Sequence, residues 1–185
     1  KARPLARTLL ALDPLGWLPN TIPAMIEQMD GQFEKALHAG QKAWEMNGAR
    51  PLKFKVQILA LAGNTGEAIA LADELLTANP EYVVLNLIGM LRYALEGNRD
   101  EVEKLFTREV DSLARGDFQY ASWVADVFAL LGDSDRAVEW LTIALERGYI
   151  PYPYVSAHDR LLEKIRDDPR FKLILERMRQ RWVAF

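Results

Sequence analysis

Two histidines, His38 and His158, are the whole imidazole supply of this 185-residue chain, and 120 positions separate them. Neither belongs to a His-x-x-x-His or His-Glu-x-x-His spacing, so both read as surface or hydrogen-bonded structural histidines. The absence of cysteine removes disulfides, thiolate zinc sites, iron–sulfur clusters and cysteine nucleophiles in one step. No glycine-rich phosphate loop occurs, and no Gly-x-Ser-x-Gly nucleophile elbow. Gly63-Asn-Thr-Gly66 resembles a nucleic-acid clamp loop only in its glycines and has no basic flank, so it reads as a turn. Arg115-Gly116-Asp117 spells an adhesion tripeptide, but it falls where glycine and aspartate make a turn. Asp73 with Glu74, and Asp133 with Asp135, read as solvated helix faces and first-turn acids rather than a catalytic pair. On these residues no enzyme, cofactor or metal is expected.

Charge points the same way. The chain has 23 basic and 26 acidic residues, a net charge of −3, where a phosphate-neutralising surface calls for a basic excess. Eight cations between Arg160 and Arg181 are interleaved with Asp159, Glu163, Asp167, Asp168 and Glu176, so no nucleic-acid face is expected. No apolar run approaches the ~18 residues of a membrane span, and the start lacks a signal-peptide core. A cysteine-free chain folds in cytoplasm or periplasm alike; the cytoplasm is the expected compartment. Opening at Lys1, the sequence reads as a segment of something longer.

The elements that could position a site follow from a repeat. Gly31, Gly63, Gly97 and Gly132 stand 32, 34 and 35 residues apart, and five positions after each comes a small apolar residue: Ala36, Ala68, Val102 and Ala137. Seven further on lie Ala43, Leu75, Glu109 and Ala144, so the third unit departs from the pattern. A helix of about 13 residues that ends at the glycine, a second helix brought close by the small residue, and a stop such as Asn79-Pro80 account for the spacing. The spacing predicts helices over 3–12, 18–30, 32–47, 51–62, 65–78, 81–96, 99–113, 118–131 and 134–147. A proline-and-tyrosine connector follows at 149–157, then helices at 159–166 and 169–184. Asp168 and Pro169 form an N-cap and first-turn proline, and Phe171, Ile174, Leu175, Met178 and Trp182 make one apolar face. No strand pattern is present.

The glycine, the alanine five later, the apolar residue twelve later and the proline seventeen later resemble the tetratricopeptide repeat (TPR). The resemblance implies an all-α, right-handed superhelix, an α-solenoid of helix–turn–helix repeats closed by a C-terminal capping helix. Residues 1–148 would form the array: a partial upstream repeat at 1–14 and four repeats at about 17–48, 49–80, 83–114 and 118–148. Residues 149–185 would be connector and capping helices of the same domain. Glu146-Arg-Gly-Tyr-Ile-Pro-Tyr-Pro-Tyr154, His158-Asp159 and Asp168-Pro-Arg-Phe171 resemble the closing segment of bacterial TPR arrays that sit C-terminal to protein kinase, adenylate cyclase or winged-helix modules.

In this family the first helix of each pair lines the concave groove. Counting thirteen, ten, six and three residues back from each glycine gives Leu18, Thr21, Met25 and Gln28, then Arg50, Lys53, Gln57 and Ala60. The third and fourth pairs give Val84, Leu87, Leu91 and Ala94, and Gln119, Ser122, Asp126 and Ala129. Chaperone-binding members carry lysine and asparagine in the first repeat, where this chain has Thr21 and Met25. Arg50 and Lys53 are expected exposed, either holding an acidic group of a ligand or pairing with an acid such as Asp126. Leu87 and Leu91 are either helix packing or an apolar anchor site. Tyr149, Tyr152 and Tyr154 are expected to lie against the last repeat. The resemblance implies a non-enzymatic scaffold that binds a peptide or protein segment in the groove and is free to form a homo-oligomer. The alternative is a regulatory or sensory domain of a larger kinase, cyclase or transcriptional regulator.

Overall fold

The computed structural model describes residues 2–46 and 49–185. Among them, all regular structure is helical. The chain divides into two compact units, one ending at Asn79 and one running from Pro80 to Phe185. The boundary is the Asn-Pro stop, where proline offers no amide to continue a helix.

The first unit holds α1 (Ala2–Leu12), α2 (Trp17–Met29), α3 (Phe33–Ala39), α4 (Gln41–Glu45), α5 (Ala49–Ala62) and α6 (Thr65–Ala78). Helices α2 and α3 fold back on each other, as do α5 and α6, and both α2 and α3 rest against α5. The second unit holds α7 (Val84–Leu95), α8 (Arg99–Leu105), α9 (Arg108–Gly116), α10 (Phe118–Leu130), α11 (Ser134–Glu146), α12 (Tyr152–Ala157), a 3₁₀ helix (Arg160–Ile165) and α13 (Pro169–Ala184). Here α7 pairs with α8 and α10 with α11, while α10 also meets α7, α9 and the 3₁₀ helix.

The four spaced glycines have φ of 70°, 86°, 73° and 71°, the left-handed backbone that a side chain resists. At Gly132 the amide donates to the Ala129 carbonyl and the next amide, of Asp133, to Phe128, both at 2.9 Å. Asp133 then caps α11 by accepting the Arg136 amide at 3.2 Å. Five residues past each glycine, Ala36, Ala68, Val102 and Ala137 are fully buried, as close helix approach demands.

Two expected helices are broken. The one predicted over 32–47 stops at Ala39 and resumes at Gln41, and its expected end at 47 lies outside the described residues. The Trp44 ring lies so near Gly40 that a Cβ there would meet it at 2.0 Å, and the indole N–H takes the Leu37 carbonyl at 3.0 Å. That carbonyl is the one a continuous helix offers to residue 41. The helix predicted over 99–113 is broken at Phe106–Thr107. Thr107 caps α9 by accepting the Val110 amide at 3.4 Å. Phe106 turns inward, edge-on to Phe128 and Trp140 at centroid distances of 5.5 and 5.8 Å. Residues 152–157, expected as connector, form α12.

Helix α13 packs on α11 and α12 and buries Phe171, Ile174 and Met178. Its predicted apolar face is narrower than expected, with Leu175 half-buried and Trp182 44 % exposed. The second helices of the last two pairs are tied by charge: Arg99 meets Asp133 at 3.0 Å and Arg136 meets Glu103 at 3.0 Å. Arg136 also lies over the Phe128 ring, 3.9 Å from its centroid.

Candidate functional site

Of the sixteen residues expected to line an open groove, Leu18 and Arg50 are exposed, and Met25 and Gln119 are half-buried. Thr21, Lys53, Gln57, Leu87, Leu91, Ser122 and Asp126 are buried.

In the first unit, the Thr21 hydroxyl donates to the Trp17 carbonyl at 2.8 Å, turning it into its own helix rather than outward. Gln28 and Gln57, on neighbouring first helices, meet at 3.5 Å, the amide of Gln28 donating to the oxygen of Gln57. Lys53 corrects the expectation of exposure: it is 4 % exposed, and its Nζ lies 5.2 Å from the Phe54 ring centroid. The reason is that α2, α3, α4 and α6 all pack on α5, which leaves that helix little open face. Of the expected groove residues in this unit, Leu18 at the start of α2 and Arg50 at the start of α5 are exposed, and Met25 is half-buried.

In the second unit, Leu87 and Leu91 are packing residues of α7, which lies among α8, α9 and α10. Ser122 and Asp126 sit on the side of α10 where the chain's own closing segment lies. The 3₁₀ helix packs along α10, and the Tyr149 hydroxyl is hydrogen-bonded to Ser122. Ser122 itself donates to the Gln119 carbonyl at 2.8 Å. Asp159 is buried on the same segment, where one carboxylate oxygen accepts the Leu161 amide at 3.2 Å and so caps the 3₁₀ helix. Tyr154 adds a hydrogen bond to the Asp159 side chain. Arg166 donates to the backbone carbonyls of Ser156 and Asp159, each at 2.8 Å.

Burial sets the electrostatics of this cluster. It raises Asp159 to about 7, against the opposing pull of the Leu161 amide, the Arg166 charge and Tyr154. It also pushes the Tyr149 hydroxyl well above the usual tyrosine range, with Asp159 and Asp126 adding to the effect. Such a set holds protons and fastens a segment; closed to solvent, it presents no face to a substrate. Tyr149 and Tyr154 are buried and Tyr152 half-buried. The sequence places Asp159 among interleaved charges and in the closing-segment resemblance, not as a cap. Asp159-Arg-Leu161 ahead of an apolar turn is the capping signal that marks it.

His38 is exposed and His158 half-buried. Among the described residues no group of three or more histidines, aspartates or glutamates is placed to hold a metal ion. No helix of the described residues is long and apolar enough to cross a membrane. Comparison with protein families, with curated proteins and with solved structures returns no match for this chain.

Proposed function

We propose that the chain is a helical-repeat binding module of the TPR kind, a non-enzymatic scaffold that takes a peptide or protein segment. The observation that carries this reading is the side-by-side placement of α2 and α5, with Gln28 and Gln57, three and six residues before their turn glycines, in contact at 3.5 Å. Stacked first helices of successive pairs are what builds a binding surface in a repeat array. The burial of the inner line moves the contact zone outward, to Leu18, Met25 and Arg50 on the edge of the first unit. Two accessible apolar side chains on α2 and an exposed guanidinium on the adjoining α5 suit a segment with an apolar anchor and an acidic residue.

Selection of 12-residue peptides from a random displayed library tests this. Bound peptides should be enriched in an acidic residue near an apolar one, weaken with added salt, and lose at least tenfold in affinity on Arg50→Glu. Peptides whose affinity is indifferent to Arg50→Glu and Met25→Glu would move the binding surface off this edge.

A further inference from the structure

Helix α1 repeats a helix that the chain elsewhere keeps covered. Leu9-Leu-Ala-Leu-Asp-Pro14 aligns with Leu75-Leu-Thr-Ala-Asn-Pro80 at the end of α6, and the same register sets Ala2 and Ala6 on Ala68 and Ala72. The matched alanines Ala6 and Ala72 are both buried, but the leucines differ. Leu75 is 5 % exposed on a helix that packs along α5; its counterpart Leu9 is 37 % exposed. One turn earlier, Leu71 is half-buried and its counterpart Leu5 is 70 % exposed.

Leu5, Leu9 and Leu12 recur at spacings of four and three, so they share one face of α1. That face is not the one α1 spends on its neighbour. Ala6 is the buried residue of the helix, and Arg3 reaches across to Glu27 and Asp30 of the adjoining α2 segment. The apolar face is therefore left over after α1 has docked on α2; of its counterparts on α6, which packs along α5, Leu75 is buried, Leu71 half-buried and Ala78 exposed.

We propose that the Leu5–Leu9–Leu12 face of α1 is a docking surface for one amphipathic helix of the kind that α5 represents. The partner lies along α1 as α5 lies along α6. It spans about four turns, as α5 does with 14 residues, and presents an apolar stripe to the three leucines. This surface is separate from the Leu18–Met25–Arg50 edge, and neither proposal depends on the other.

The test uses the 185-residue chain and a synthetic peptide of residues 49–64, which carries α5 and its glycine turn. Titration followed by methyl NMR should give saturable shifts at Leu5, Leu9 and Leu12. Leu5→Glu with Leu12→Glu should weaken binding at least tenfold without loss of helix content, because both positions are exposed. In a second arm, residues 49–66 are fused directly ahead of Lys1, the register in which α5 precedes α6. Amide exchange across α1 should then slow at least tenfold. No leucine shifts together with unchanged exchange in the fusion would overturn the proposal. So would a wild-type dimer that the double variant abolishes, since the face would then belong to a second copy.

Discussion

The hydroxyl of Tyr149, immediately past the last glycine turn, is hydrogen-bonded to the hydroxyl of Ser122 in the middle of α10. Through this pair the closing segment is laid along the helix whose inner line the repeat pattern assigns to a ligand. With Asp159 capping the turn that follows, the segment adds Tyr149, Tyr154, Val155, Leu161, Leu162 and Ile165 to the second unit's core.

Asp159 gives this unit a pH dependence of defined sign. Its carboxyl sits at about 7 in the folded chain, above the ~4 of an unfolded aspartate. Between those values the folded state keeps a proton that the unfolded state has shed. The stabilisation is complete below pH ~4 and is lost as pH rises through about 7, by up to about 1.4 kcal/mol per pH unit. Asp168 and Glu176, both held down at about 2 chiefly by the arginines beside them, act in the opposite sense. Asp159→Asn keeps an oxygen for the Leu161 amide and removes the proton. Urea unfolding at pH 5 and pH 8 should therefore show a larger loss for the wild type than for the variant; equal losses would assign the proton elsewhere.

Ala68→Leu and Ala137→Leu should each destabilise by ~1–3 kcal/mol, because both alanines are fully buried at close helix approaches. Thermal melts decide it. Wild-type melting in both variants would mean that the helices have room to spare at these crossings.

Two glycines should respond in opposite directions. Gly132 has a φ of 71° and open space around a built Cβ, so Gly132→Ala carries a pure backbone cost of ~1–2 kcal/mol. Gly66 also has open space and lies within α6, without a left-handed backbone, so Gly66→Ala should stabilise by ~0.4–1 kcal/mol. Denaturant midpoints of the two variants moving the same way would contradict this.

Helix α13 should divide along its length. Phe171→Ala empties a fully buried site and should cost ~3–5 kcal/mol, whereas Trp182→Ala, at a position 44 % exposed, should cost far less. Calorimetric melts that rank the two variants equally would show that α13 is not seated by its first turns.

The helix pairs were legible because their signals are local. A glycine at the left-handed position and a small residue five later are set by backbone sterics, and neither needs knowledge of distant packing. The breaks at Gly40 and Thr107 depend on where Trp44 and Phe106 put their rings, which no spacing encodes. The site was less legible for the same reason. Counting back from the turn glycines picks residues on α2, α5 and α10 but does not show what packs over them. So Lys53 turns out buried, and Ser122 lies beneath Tyr149.

The turn at Gly132 bears on how the chain can be made. Its two hydrogen bonds link residues no more than five apart, Asp133 to Phe128 and Gly132 to Ala129. The same two-bond closure recurs at Gly63, with Asn64 to Leu59 and Gly63 to Ala60, and at Gly97, with Asn98 to Tyr93 and Gly97 to Ala94. Closing so short a loop takes little chain entropy, and contacts between sequence neighbours form early. A helix pair can thus zip shut as soon as it leaves the ribosome, while the residues that follow are still being translated. The buried seat of Asp159 cannot close until residue 166 has been made, because its partners are Tyr154, Leu161 and Arg166.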